Sequence, residues 1–169
     1  MKKLTNLLAK AETSAFYLFL LNKILHRVIP FNKPHSINVV KVETDAIKLK
    51  LPFKKKNLNH IKSLHACAML TVAEYASGMS LIRKLDPGKF RIILKEISMT
   101  YHYQGKTDAF ASYSVTDDFI KEKVLPVLEN QEFAEVPCEV DIFDTQNNLL
   151  AKGKVQWHIK SWSKVQVKI

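Results

Sequence analysis

Four side chains that can move protons or orient a polar group lie close together in the sequence: Asn59, His60, His65 and Glu74. Imidazoles and carboxylates are the usual general acids and bases of enzymes, and a positioned amide can orient a water molecule or a carbonyl group. The segment that carries these residues is therefore the candidate active centre.

The elements that position these side chains are a polar loop over 54–63 and a helix predicted over 65–85. Only Thr71 is polar within 66–73, so every face of the helix is apolar and the helix should be buried. A helix start presents unpaired N–H groups and a partial positive charge. The amides of Ala66 and Cys67 are therefore predicted to hold the negative charge that develops on a carbonyl oxygen.

Glu74 follows His65 by nine positions, which is about 13 Å along a helix and too far to meet a carbonyl at the same helix start. We therefore expect Glu74 to serve the site of a second chain. The alternatives are structural: a hydrogen-bonded carboxylate for Glu74, a capping or loop position for His60 and His65, and a turn position for Asn59.

Hydrophobic periodicity predicts the rest of the fold. One or two amphipathic helices are expected over 4–29, ending before Pro30, and a short helix broken near Pro126 over 117–130. Alternating patterns predict strands at 47–51, 90–103, 133–143 and 149–159. Residues 39–42 are interpreted as the hairpin partner of 47–51, and a further strand is expected at 110–116. Tyr101, His102 and Tyr103 fall on what is taken as a central strand and are interpreted as ordinary sheet residues.

This order of elements predicts an α+β fold in which a curved antiparallel sheet wraps one long central helix. We divide the chain into an N-terminal helical extension, residues 1–33, and a main domain, residues 34–169. Such a sheet does not close its own edge, so we expect a homodimer and leave a tetramer open.

Lys and Arg number 26 against 16 Asp and Glu, a net charge of +10 that favours polyanionic partners. The basic residues are scattered, which argues against nucleic-acid binding.

The apolar run 15–21 is too short to span a bilayer, and a packed helix is preferred there to a membrane-surface helix. Cys67 and Cys138 are interpreted as core residues in a reducing compartment, which predicts a cytoplasmic protein. No metal-ligand spacing occurs, so no metal is expected.

The segment Asn59-His60-Ile61-Lys62-Ser63-Leu64-His65-Ala66-Cys67-Ala68, with Glu74 beyond it, resembles the Asn…His-Gly-Gly…Glu/Asp segment of hotdog-fold thioesterases. That superfamily includes the phenylacetate-pathway (PaaI-like) and 4-hydroxybenzoyl-CoA enzymes. The likeness covers roughly residues 34–159 and is closest to an uncharacterised branch of the DUF4442 type. It implies a hotdog fold and hydrolysis of an acyl thioester carried by coenzyme A (CoA) or an acyl-carrier protein, with no cofactor besides the CoA of the substrate.

The resemblance also implies a role for each site residue. Glu74 would act as general base or nucleophile at the helix start of the partner chain, Asn59 would orient the attacking water or the carbonyl, and His65 would border the oxyanion site. His60, Ala66 and Cys67 would bind substrate. Ala66 and Cys67 replace the two glycines of the motif, which keeps the N–H donors but narrows the approach to the helix.

Two alternatives stay open. A dimer with the same apolar tunnel could bind an acyl chain or acyl-CoA without turnover, and the loss of both motif glycines favours this. A hotdog dehydratase acting on a 3-hydroxyacyl thioester would use His60 and Glu74, but the Pro-Gly sequence that opens the dehydratase helix is missing.

Overall fold

A computed structural model describes residues 2–165 of the chain. The helices are α1 (Lys2–Ala11), α2 (Ala15–Val28), α3 (Ala66–Lys84), α4 (Asp117–Phe119) and α5 (Leu125–Asn130). The strands are β1 (Asn38–Val42), β2 (Ala46–Leu51), β3 (Phe90–Tyr101), β4 (Ala109–Ser114), β5 (Ala134–Asp144) and β6 (Leu149–Ser161). The strands form one antiparallel sheet in the order β1-β2-β4-β5-β6-β3.

The sheet wraps α3, which packs against β2, β3, β4, β5 and β6. From Val72 to Leu81 every residue of α3 except Glu74 is buried. Two glycines allow the close approach of helix and sheet. A Cβ on Gly78 would lie 2.8 Å from the Trp157 ring, and one on Gly153 would lie 3.2 Å from the Cβ of Ala73. The predicted α+β architecture with a buried central helix is confirmed.

The β1 edge of the sheet is covered by α2. The Asn22 amide donates to the carbonyl of Val39 at 2.9 Å and accepts from its N–H at 2.8 Å. The His26 ring lies 3.0 Å from the carbonyl of Ile37. Leu21 and Leu25 are buried beneath these contacts. Side chains of α2 thus satisfy backbone groups that an edge strand otherwise leaves to solvent. The division of the chain at residue 33 stays a prediction.

The opposite edge of the sheet is β3. His102 N donates to Leu150 O at 2.8 Å, just beyond the last pair of β3 and β6. Successive N–H groups of a strand point alternately toward and away from the partner strand, so this bond shows which N–H groups of β3 face β6. The N–H groups of Ile97, Met99 and Tyr101 therefore point away from β6, and none pairs with another strand within residues 2–165. The placement of Tyr101 on a central strand was wrong, because alternation reveals which residues form a strand but not the position of that strand in the sheet.

The region before β5 also differs from the prediction. Helical backbone continues from Asp117 to Asn130 through a π-helical segment, Ile120–Val124, and Pro126 follows within the first turn of α5. Proline lacks the N–H that an α-helical hydrogen bond needs. The expected break thus takes the form of a widened turn just before Pro126.

Candidate active site at the start of α3

The loop that leads into α3 is held by Asn57, which is fully buried. Its side-chain Nδ2 donates to the backbone carbonyls of His35 and Pro52 at 2.9 and 2.8 Å. The backbone carbonyl of Asn57 accepts from His65 N at 2.8 Å. Asn57 thus ties the first residues after α2 to the end of β2 and to the start of α3. Sequence reasoning missed it, because an asparagine in a polar loop looks like any other turn residue.

Asn59 organises the next part of the loop. Its Oδ1 accepts from the backbone N–H groups of Ile61 and Ser63 at 3.1 and 3.0 Å, and its own N–H donates to Ser63 O at 2.8 Å. With the amide oxygen engaged in this way, the side-chain NH₂ is the part of Asn59 left to meet a substrate. The catalytic role of Asn59 stays a prediction.

His65 is the N-cap of α3, and its Nδ1 accepts from Cys67 N at 3.0 Å. A ring nitrogen that accepts a hydrogen bond carries no proton, so the cap requires a neutral imidazole with its proton on Nε2. The cap also occupies the Cys67 amide, one of the two predicted oxyanion donors. The Ala66 N–H has no acceptor within the described part of the chain and is left as the donor for a carbonyl oxygen.

Tyr101 reaches the same helix start from β3. Its hydroxyl donates to Ala66 O at 3.0 Å, and burial raises the pKa of the phenol. The interpretation of Tyr101 as an ordinary sheet residue missed this contact, since the proximity of Tyr101 to the helix start depends on the place of β3 at the sheet edge.

Glu74 lies on the one face of α3 that the sheet leaves partly uncovered. Between Ala66 and Leu81 five residues are not fully buried, and helical spacing puts all five within one face: Ala66, Cys67, Leu70, Thr71 and Glu74. Burial raises the pKa of Glu74 to about 7. No side-chain hydrogen bond to its carboxylate forms within residues 2–165. A carboxylic acid poised near neutral pH is suited to general acid–base work.

A cleft of about 260 Å³ lies at the start of α3. Phe31 and His35 line one side, and His65, Cys67 and Thr71 line the other. Cys67 is exposed here, so its interpretation as a core residue was wrong. It occupies the first turn of the helix, ahead of the fully enclosed part.

The structure does not bring all the predicted residues together. His60 is exposed on the loop and does not line this cleft. Within residues 2–165 no group of three His, Cys, Asp or Glu side chains could hold a metal ion. In the same range no helix has the length and apolar character needed to cross a bilayer.

A curved antiparallel sheet around a central helix defines the hotdog fold. Residues 19–159 match the DUF4442 family, a domain of unknown function, and the chain belongs to that family. No functionally curated protein matches the chain. The expected family and fold are thus confirmed.

Solved structures share the fold at low sequence identity. A Pseudomonas aeruginosa protein of unknown function, for which thioesterase activity is suggested, is 23% identical with a TM-score of 0.77, over 85% of this chain and 95% of its own. A Haemophilus influenzae thioesterase is 12% identical with a TM-score of 0.69, over 94% and 99%. A mutant Staphylococcus aureus thioesterase is 14% identical with a TM-score of 0.65, over 78% and 98%.

Proposed function

We propose that the protein is an acyl-thioester hydrolase that works as a homodimer, with Glu74 of each chain serving the helix start of the other. The observation that carries this is the position of Glu74: a partly buried carboxylate, with its pKa raised to about 7, on the open face of α3. The thioesterases among the structural neighbours support the same reaction class.

The dimer is inferred from the sheet edge. The outward N–H groups of β3 need acceptors, and a second β3 strand supplies them edge to edge. Tyr101 links this edge to the start of α3 through its bond to Ala66 O. A partner chain paired along β3 therefore lies beside the open face of α3. This arrangement brings the partner's Glu74 toward the Ala66 amide.

In the proposed reaction, the Glu74 carboxylate takes a proton from water as the water oxygen bonds to the thioester carbonyl carbon. The Ala66 N–H holds the carbonyl oxygen as it becomes an oxyanion. The C–S bond then breaks, giving a carboxylic acid and a thiolate, and the proton on Glu74 passes to the departing sulfur. Asn59 is assigned to orient the water or the carbonyl, and His65 positions the helix start by capping it.

His60, Ala66 and Cys67 remain the proposed substrate-binding residues, with Ala66 supplying its amide and Cys67 lining the cleft. Acyl-CoA or an acyl-carrier protein is the proposed partner, and no cofactor besides the CoA of the substrate is invoked. The two cysteines are free thiols in the structure, which supports the proposed cytoplasmic location.

One observation favours a second candidate, a dimer that binds acyl-CoA without hydrolysing it. The His65 cap occupies the Cys67 amide, so a bound carbonyl oxygen meets one helix amide in place of two. The dehydratase alternative has no such observation in its favour, since neither His60 nor Glu74 lines the cleft at the start of α3.

A panel of acyl-CoAs with a thiol-reporting dye tests the proposal. A hydrolase releases thiol in proportion to enzyme concentration, and Glu74→Gln abolishes that release. A non-catalytic binder gives thermal stabilisation by acyl-CoA without any thiol. Formation of an enoyl product from a 3-hydroxyacyl thioester would instead establish the dehydratase.

A further inference from the structure

A second cleft, of about 560 Å³, lies beside the start of α3 and carries four lysines. Lys33 belongs to the segment that follows α2, and Lys54, Lys55 and Lys56 follow β2. Pro34 and Ser36 complete the lining. We refer to it as the lysine cleft.

The charge of the lysine cleft is not compensated. None of its four lysines forms an ion pair within the described residues, whereas Lys50, Lys84 and Lys152 each pair with an aspartate. No acidic side chain lines the cleft. Burial and the neighbouring charge of Lys56 lower the pKa of Lys54. Like charges held together in this way are relieved by a bound polyanion.

The walls of the lysine cleft are fixed to one another. Lys54 Nζ donates to Ser36 Oγ across the cleft. The buried Asn57 amide bonds to the carbonyls of His35 and Pro52, which belong to the two chain segments that carry the lining residues. An anion that binds here therefore meets lysines on a prepared backbone and does not have to order two separate loops.

The lysine cleft adjoins the candidate active site. Lys56 lines both clefts, and the carbonyl of Asn57 accepts from His65 N. Phe31, which is 65% exposed and packs on the His35 ring, stands on the near wall of the smaller cleft. A ligand with phosphates at one end and a thioester at the other can thus extend from the lysines into the cleft at the start of α3.

We propose that the lysine cleft binds the phosphate groups of coenzyme A, so that the substrate carrier is CoA and not an acyl-carrier protein. The identity of the thioester end of the ligand rests on the proposed function. The cleft gathers four lysines within one small area, which fits a small polyanion. A carrier protein needs a contact area of roughly 800 Å² per partner with charge spread across it.

Calorimetric titration of the full chain with CoA and with pantetheine, which lacks the phosphates, tests this proposal without requiring turnover. The variant Lys33→Gln/Lys55→Gln/Lys56→Gln spares Lys54, which bonds to Ser36. Lys89→Gln/Lys121→Gln/Lys123→Gln is the control, because it removes the same charge from three exposed lysines elsewhere. We expect the first variant to weaken CoA binding about tenfold or more, to leave pantetheine binding unchanged, and the control to bind CoA like the wild type.

Three results would overturn the proposal: equal loss of CoA affinity in both variants, equal affinity of the wild type for CoA and pantetheine, or selective loss of binding to an acyl-carrier protein. Failure of the proposed function is distinguishable from these. If the wild type releases no thiol, and CoA affinity falls in the first variant but not in the control, the lysine cleft is retained as the CoA site and hydrolysis is rejected. If the first variant hydrolyses acyl-CoA with an unchanged KM, hydrolysis is retained and the lysine cleft is rejected as the CoA site.

Discussion

The two edges of the sheet are finished in different ways. At β1, the chain covers its own edge: Asn22 bonds to both backbone groups of Val39, and His26 lies against the carbonyl of Ile37. At β3, the outward N–H groups of residues such as Met99 have no partner within residues 2–165. An edge left unpaired beside the open face of α3 is a place for a second chain. At β1 the side chains of α2 bond to outward backbone groups, and within residues 2–165 no helix does the same for β3.

The largest expected effect comes from blocking the bare edge. Met99→Pro removes one outward N–H while leaving the N–H groups that bond to β6. We expect it to convert a dimeric protein into a monomer, measured by light scattering after gel filtration, and to abolish activity with the dimer.

Met99→Ala is the matched control for this prediction. It loses the same side-chain packing beside Gly153 but keeps the N–H, so it should stay dimeric. If circular dichroism shows Met99→Pro to be folded and it remains a dimer, β3 is not the interface.

Glu74→Gln tests the open face beside the bare edge. Removal of a general base costs about 10²–10⁴-fold in rate, so thiol release should fall by at least the lower figure, while the folded dimer persists. Because the base must be ionised and burial raises the pKa of Glu74 to about 7, wild-type activity should rise with pH up to about that value and then level off. A rate that is independent of residue 74 would remove it from the chemistry.

The same pKa predicts the pH dependence of stability. Between the ordinary value of 4.5 and about 7, the folded chain keeps the Glu74 proton that the unfolded chain releases. The contribution of Glu74 to the free energy of unfolding is therefore greatest below pH 4.5. It declines by on the order of 3 kcal/mol as the pH rises to 7. Urea unfolding across this range should show the decline in the wild type, and Glu74→Gln should remove that part of the slope.

The covered edge is opened by Asn22→Ala, which deletes both bonds to Val39. Leaving partly buried backbone groups unsatisfied costs about 1–3 kcal/mol, measurable as a lower urea midpoint. Asn22→Asp retains the acceptor for Val39 N and loses the donor to Val39 O, so it should also destabilise the chain. If both variants are as stable as the wild type, water satisfies the outward backbone groups of β1 as well as Asn22 does.

The smallest effect is expected at the cap of α3. His65→Ala should lower the free energy of unfolding by about 1 kcal/mol, because Cys67 N loses its acceptor. His65→Asn offers a side-chain oxygen to the same amide and should recover most of the loss. If the two variants are equally stable, the ring nitrogen contributes nothing as a cap.

The segments of the fold follow from local patterns in the sequence. Alternation identified strands such as β6 within a few residues of their observed bounds, β1 was inferred as the hairpin partner of β2, and the apolar run after His65 identified α3. Both signals are local, since the side-chain period alone decides which face is buried. The cap at His65 and the turn at Asn59 were open alternatives in the sequence, and the structure realises both.

The sequence by itself determined that a buried helix carries Glu74 behind a polar loop with Asn59 and His65, and that the chain resembles a known thioesterase superfamily. Tertiary structure alone decided that β3 is an edge, that Tyr101 meets the start of α3, and that Lys33 joins Lys56 in one cleft. These contacts link residues far apart in the chain. Their proximity depends on strand order and loop path, which no local period encodes.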